Sequence, residues 1–158
     1  MSVVLFRVDE RLIHGQVVVG WARRLAPERV IVVSDELARE PLEQSIYRSA
    51  LTEGLVADFW REDEAADRLP AVMESAERAF VLTEDLAVMW RLAVAGVPIA
   101  EVNVGGMHAA EGRRRVLPYL CLDAEDEARI HDLEAAGVRV VAQDVPTGAA
   151  VRLRGAPW

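Results

Sequence analysis

Short runs of β-branched and aromatic residues alternate with helix-patterned segments along the whole chain, and this alternation is the strongest constraint on its fold. The apolar runs fall near 2–8, 29–34, 55–60, 78–83, 99–104, 116–122 and 138–145. Helical patterning falls near 15–25, 41–51, 62–75, 84–95 and 124–136. Strands separated by helices imply parallel pairing, because a crossover helix is needed to return the chain to the same edge. The prediction is an α/β fold with an open, mostly parallel sheet of about seven strands and helices on both faces. Pro41 suits a first helical turn, where its missing N–H costs little. Pro70 lies inside the third helical stretch and predicts a break or kink. Asp123 suits an N-cap, and Gly137 a stop, for the last helix. No repeat, low-complexity tract or linker divides the chain, which predicts one domain over 1–158.

At 158 residues, the chain can bury about two-thirds of its unfolded surface. No apolar run approaches the ~20 residues that span a bilayer. The N-terminus enters the first strand without a basic n-region or cleavage site, which predicts no signal peptide. Cys121 is the single cysteine, which excludes an internal disulfide framework and suits a reducing cytosol. A formal charge of −8 argues against a nucleic-acid partner, which would need a broad basic face. A small anionic substrate remains compatible, since a few arginines decide that locally. All 18 basic residues are arginine. Lysine-based chemistry is therefore absent, and arginine suits bidentate contact with phosphate.

The most informative stretch for function is Val3–Val18. It starts as a strand, breaks into Asp9, Glu10, Arg11 and His14, and resumes at Gly15 with a segment able to start a helix. A strand-to-helix turn at the carboxyl edge of an open sheet is where such folds place ligands. Helix N-terminal N–H groups and Arg11 would favour an anion on, or attached to, the His14 imidazole. A neutral imidazole near pH 7 is a competent nucleophile, given an ordinary pKa of about 6.5. The plainer reading, a loop histidine bonded to its own turn, stands beside it.

This segment resembles the IIB components of the mannose/fructose/sorbose type of the sugar phosphotransferase system (PTS). Their hallmark, R-[VI]-D-x-R-[LI]-[IV]-H-G-Q, is matched by Arg7-Val8-Asp9-Glu10-Arg11-Leu12-Ile13-His14-Gly15-Gln16. Further matches are Ile31–Glu36, Asn103-Val104-Gly105-Gly106-Met107 and Val145-Pro146-Thr147, so the likeness covers nearly the whole chain. The resemblance implies that His14 accepts a phosphoryl group, on Nδ1, from a IIA partner. It then passes the group to a sugar arriving through a IIC/IID permease. Such a protein would be a cytoplasmic phosphotransferase peripherally associated with the permease, needing no cofactor or metal.

Within this frame Arg11 would neutralise phosphoryl charge, and Asp9 would orient Arg11 or the imidazole, or cap the turn. Gly15 and Gln16 would offer backbone N–H groups, with Gly15 permitting close approach to phosphate. Arg7 is expected to be structural or peripheral. Asn103, Gly105 and Gly106 would wall the crevice, although paired glycines alone more often mark a turn requiring positive φ. Arg113 is singled out as a phosphate contact. The run Arg113-Arg114-Arg115 is either a solvated turn or a dock for an acidic IIA surface. Ser34-Asp35-Glu36 either flank the crevice or cap the next segment. His108 and His131 read as surface residues, and the three histidines with one cysteine give no metal-ligand spacing. Trp21, Trp60 and Trp90 read as packing residues, and an exposed Trp158 would be free to contact a partner. Two other readings stay open: a regulatory phosphoprotein without a transport partner, and a module that binds nucleotide or phosphosugar reversibly. Homo-oligomer formation is compatible with all three.

Overall fold

The computed structural model describes residues 2–154. Six parallel strands and one antiparallel edge strand form its main sheet, in the order β3-β2-β4-β1-β5-β8-β9. These are β1 (Val3–Val8), β2 (Arg29–Val33), β3 (Val56–Trp60), β4 (Ala79–Thr83), β5 (Glu101–Val104), β8 (Arg139–Ala142) and β9 (Val151–Arg152). The helices are α1 (Ala22–Leu25), α2 (Pro41–Ser49), α3 (Glu62–Glu74), α4 (Leu86–Val94) and α5 (Ala124–Ala135).

Both faces of the central strands are apolar because both are covered. Along β2, Val30 and Val32 pack with Val17, Val18, Trp21 and Leu37 on one face. Ile31 and Val33 pack with Ala65, Leu69, Met89 and Leu133 on the other. Two cores therefore sandwich the sheet, and the continuous apolar runs in the sequence are their signature.

Three elements differ from the sequence expectation. The run near 116–122 is not a strand of the main sheet. It spans the end of one strand, the turn and the second strand of a separate hairpin, β6 (Arg114–Leu117) and β7 (Leu120–Leu122), paired antiparallel. Pro118 lies between them, where a fixed φ and missing N–H suit a turn and not a ladder. The seventh strand of the main sheet is instead the short β9, antiparallel to β8. Helix α3 runs through Pro70 without a break, with Ala65 and Leu69 fully buried beneath it. The segment expected as one α-helix over 15–25 begins with a π-helical stretch, Gln16–Trp21, before α1. Pro41 does occupy the first turn of α2, and Asp123 caps α5 reciprocally with Asp126.

The chain leaves β1 toward β2 over one face and leaves β5 toward β8 over the other. The crevice between the carboxyl ends of β1 and β5 is thus the topological switch point. Hydrogen bonds continue past the strand ends: Asp9 N–H to the Thr83 carbonyl at 3.0 Å, Gly105 N–H to Val8 at 2.7 Å, and Glu10 N–H to Gly106 at 3.0 Å. The loop after β1 is therefore anchored to its neighbours before it turns.

Candidate functional site

Asp9 is the hub of the site. Its side chain is fully buried and receives Arg7 Nη2 at 3.2 Å, Arg11 Nε at 3.3 Å and His14 Nε2 at 3.2 Å. The backbone N–H groups of Arg11, at 3.1 Å, and Gly106, at 3.2 Å, complete the set. Burial by itself would raise the carboxyl pKa, but hydrogen bonds from His14 and Arg11 and the charge of Arg7 hold it well below the usual carboxylate range. Asp9 is therefore an anion at neutral pH, beneath the imidazole.

His14 is partly exposed, with 15% of its side chain accessible. Nε2 faces the Asp9 carboxylate, so it carries the proton. Nδ1 accepts the Gln16 N–H at 3.3 Å, so it holds the lone pair. The two contacts together fix one tautomer. Gln16 acts a second time, its Oε1 accepting from Arg11 Nη2 at 2.7 Å. Arg11, about one-third exposed, is thus held between Asp9 and Gln16 with part of its guanidinium turned to solvent. Asp9, Arg11, His14 and Gln16 are brought together as the sequence predicts. Gly15 stands at the start of the π-helical stretch, exposed, with open space where a Cβ would be.

The loop owes its shape to Leu12. This residue has φ +55°, a left-handed conformation costly to a branched side chain, and it is fully buried in the second core. Its N–H closes a tight turn onto the Asp9 carbonyl at 3.0 Å. The turn points Ile13 inward and leaves His14 at the surface.

Arg7 is structural but not peripheral. It is fully buried, donating to Asn103 Oδ1, to the Gln143 carbonyl at 2.8 Å and to the Asp144 carbonyl at 3.0 Å, besides Asp9. Its guanidinium carbon lies 5.2 Å from the centre of the Trp21 ring, whose Nε1–H donates to the same Asp144 carbonyl at 3.2 Å. Trp21 is therefore more than packing: it floors the charged pair. A charged residue inside the apolar run Phe6-Arg7-Val8 was the available signal, since arginine is almost never fully buried unless paired.

Asn103, Gly105 and Gly106 are all buried, so they underlie the site and do not line an open crevice. Neither glycine is among the positive-φ glycines, so turn geometry does not explain them. Close approach does: a Cβ on Gly105 would lie 2.0 Å from Arg7 Nη2, and one on Gly106 3.0 Å from Arg11 Nη2. The β6–β7 hairpin braces this loop, with Met107 bonded to Tyr119 at 3.1 Å and to Cys121 at 2.8 Å.

Arg113 is engaged by groups of its own chain. It pairs with Glu10 and, at 3.6 Å, with Asp126, and donates to the His108 carbonyl at 2.8 Å. Arg114 pairs with Glu127 at 2.8 Å. The arginine run is thus largely committed to the protein's own carboxylates. His108 is mostly exposed and meets Glu10 at 3.3 Å, and His131 is exposed on α5. Ser34 Oγ accepts from Leu37 N–H at 3.2 Å, and Asp35 accepts the first N–H of α3, from Glu62, at 2.8 Å. Both are caps. Trp158 lies outside the described residues.

The sequence model of the PTS system sorbose subfamily IIB component matches residues 3–155. The chain belongs to this family. The IIB chain is 36% identical over 152 residues to the N-acetylgalactosamine-specific phosphotransferase enzyme IIB component 2 of Escherichia coli K12, covering 96% of each. It is 31% identical to the mannose-specific EIIAB component of the same organism, covering 93% of this chain and 46% of that relative. The crystal structure of the IIB domain of the Klebsiella pneumoniae sorbose permease superposes with a TM-score of 0.87 at 26% identity, covering 96% of this chain and 93% of that one. Membership makes this IIB chain a component of a sugar phosphotransferase. Among the described residues no helix is long and apolar enough to cross a membrane.

Proposed function

We propose that this IIB chain is a phosphohistidine carrier, accepting a phosphoryl group from a PTS IIA component on His14 Nδ1 and delivering it to a sugar taken up through a IIC/IID permease. The observation that carries this reading is the fixed tautomer. With Nε2–H on Asp9 and the Nδ1 lone pair facing the helix start, Nδ1 is the ring nitrogen positioned to attack phosphorus. As the Nδ1–P bond forms and the donor's bond to phosphorus breaks, the ring becomes a phosphorylated imidazolium. Its positive charge then rests on the Asp9 carboxylate, which is already ionised. The Gln16 N–H is released from Nδ1 to the incoming phosphoryl oxygens, and the exposed edge of Arg11 offsets their charge. In onward transfer a sugar hydroxyl attacks phosphorus as the Nδ1–P bond breaks, Nδ1 regains its lone pair, and the hydroxyl proton passes to water.

The mannose relative's name, EIIAB, supports a IIA donor, and the three relatives are named for three different sugars, so the sugar is not carried over from them. The protein would work at the cytoplasmic face beside its permease. The test is incubation with labelled phosphoenolpyruvate, the general PTS carriers and IIA. The expected label is acid-labile, base-stable and absent from His14→Ala. Label that survives this change, maps to His108 or His131, or resists acid would overturn the reading.

A further inference from the structure

Arg23 and Arg24 close the last turn of α1, exposed, with neither a hydrogen bond nor an ion pair among the described residues. In a chain of net charge −8, two adjacent uncompensated cations are an unusual surface feature. They flank a groove of about 530 Å³, whose other residues include Val19, Gly20, Val145 and Pro146. Val19 is 54% exposed, so the groove offers an apolar strip to solvent between charged rims. Its floor is tight, since a Cβ on Gly20 would lie 3.3 Å from Pro146 Cδ.

The groove is built on two segments that also support the His14 site. Val145 follows Asp144, whose carbonyl receives both Arg7 and Trp21, and Val19 follows Val17 and Val18 on the helical segment that begins beside His14. Over the carboxyl ends of β2 and β4 the charge is opposite. Burial raises the Glu84 carboxyl pKa, and Glu36, Asp85, Glu43 and Glu10 raise it further, which marks a crowd of acids over the β2 and β4 ends. The other basic run near the site is occupied, Arg113 and Arg114 being paired with carboxylates of their own chain.

From this asymmetry we infer that the Arg23–Arg24 groove, and not the Arg113–Arg115 run, docks the phosphoryl donor, through an acidic protein surface bearing an apolar residue that sits on Val19 and Pro146. The inference rests on the carrier reading above and names the surface that the donor uses. Charges at such a rim act mainly on encounter rate and are screened by salt, with a Debye length of about 10 Å at 0.1 M.

The experiment compares phosphoryl transfer to His14 from phosphorylated IIA with chemical phosphorylation by phosphoramidate, a donor too small to need docking. Arg23→Glu/Arg24→Glu should slow transfer from IIA about tenfold at low salt, with the deficit shrinking as salt rises. Val19→Glu should act in the same direction, and the phosphoramidate rate should match wild type for both. Arg115→Glu, a charge reversal on the other run, should leave the IIA rate near wild type. Equal IIA rates for wild type and the groove variants, an equal loss per charge in Arg115→Glu, or a parallel fall with phosphoramidate would each overturn the inference. Wild-type protein that takes no label from IIA would remove the carrier reading and this one with it. Normal wild-type transfer with unaffected groove variants removes only the groove.

Discussion

Gly105 faces the Arg7 guanidinium so closely that a Cβ would lie 2.0 Å from Nη2 and 2.8 Å from Asp9 Oδ2. Gly105→Ala must therefore displace the buried Arg7–Asp9 pair. Overpacking of this kind costs about 1–3 kcal/mol, and the His14 tautomer would lose its anchor as well. Urea unfolding and phosphoryl transfer should both be impaired. Gly15→Ala is the contrast, with nothing within 4 Å of the new methyl group. Its unfolding midpoint should match wild type, so any loss of transfer in that variant reports close approach of the phosphoryl group.

Asp9→Asn should affect the imidazole and the fold separately. An amide no longer compels a proton on Nε2, and the analogous exchange in serine-protease triads lowers turnover by about 10⁴. Transfer should fall by at least about 10² here, and ¹⁵N spectra of the ring should change from one tautomer to a mixture. Arg7 would meanwhile be left without its buried counter-ion, which typically costs about 3–5 kcal/mol. A single Nε2–H tautomer in the variant would show that Asp9 does not set the proton.

Arg11→Lys keeps the charge and loses the fork. Arg11 reaches Asp9 through Nε at 3.3 Å and Gln16 through Nη2 at 2.7 Å, a span one ammonium cannot cover. The expected loss of transfer is about tenfold or more, since a charged hydrogen bond is worth about 1.5–3 kcal/mol. Stability should change little because the residue is partly exposed. A rate within about twofold of wild type would remove Arg11 from the transferring state.

Acid should unfold the protein partly through Asp9. The folded-state carboxyl has a pKa below its unfolded value of about 3.9, so it binds its proton more readily when unfolded. Its stabilisation is complete above the ordinary carboxylate range and disappears as pH falls below it. Thermal unfolding from pH 6 to pH 2.5 should show a steep loss below about pH 4. The slope should be shallower in Asp9→Asn, and equal slopes would assign the acid sensitivity elsewhere.

Leu12 predicts an inverted ranking of substitutions. Removing its buried side chain costs about 2–5 kcal/mol in either Leu12→Ala or Leu12→Gly. Alanine still bears the left-handed φ of +55°, whereas glycine does not. The glycine variant should therefore be more stable by about 1 kcal/mol, the reverse of the order at a right-handed position, as measured by denaturant midpoints.

The parts of this site that lie close together in the chain were readable. Asp9, Arg11, His14 and Gln16 fall within eight residues, and a turn after a strand brings such neighbours together without reference to the rest of the fold. The strand and helix alternation was readable for a related reason, since burial on both faces leaves continuous apolar runs. The support of Asp9 was not. Arg7 meets Asn103, Gln143 and Asp144 only because β1, β5 and β8 lie in that order, and strand order is absent from local pattern. The run 116–122 misled because β7 is as apolar as a central strand, its burial coming from the glycine loop and α5 and not from the main sheet. Pro70 misled because packing beneath α3 outweighs one missing hydrogen bond. The pairing of the arginine run was not legible either, because its carboxylate partners, Glu10, Asp126 and Glu127, are distant in sequence or lie on another element.

Leu12 occupies a backbone conformation that its own chemistry resists, and the second core is what holds it there. His14, two positions later, is consequently presented only by a molecule whose interior is finished. A nascent or partly unfolded chain can contain the whole motif and still offer its donor no acceptor. On the proposed carrier reading, phosphorylation would double as a certificate of folding, with energy-rich phosphate withheld from defective copies without any separate check.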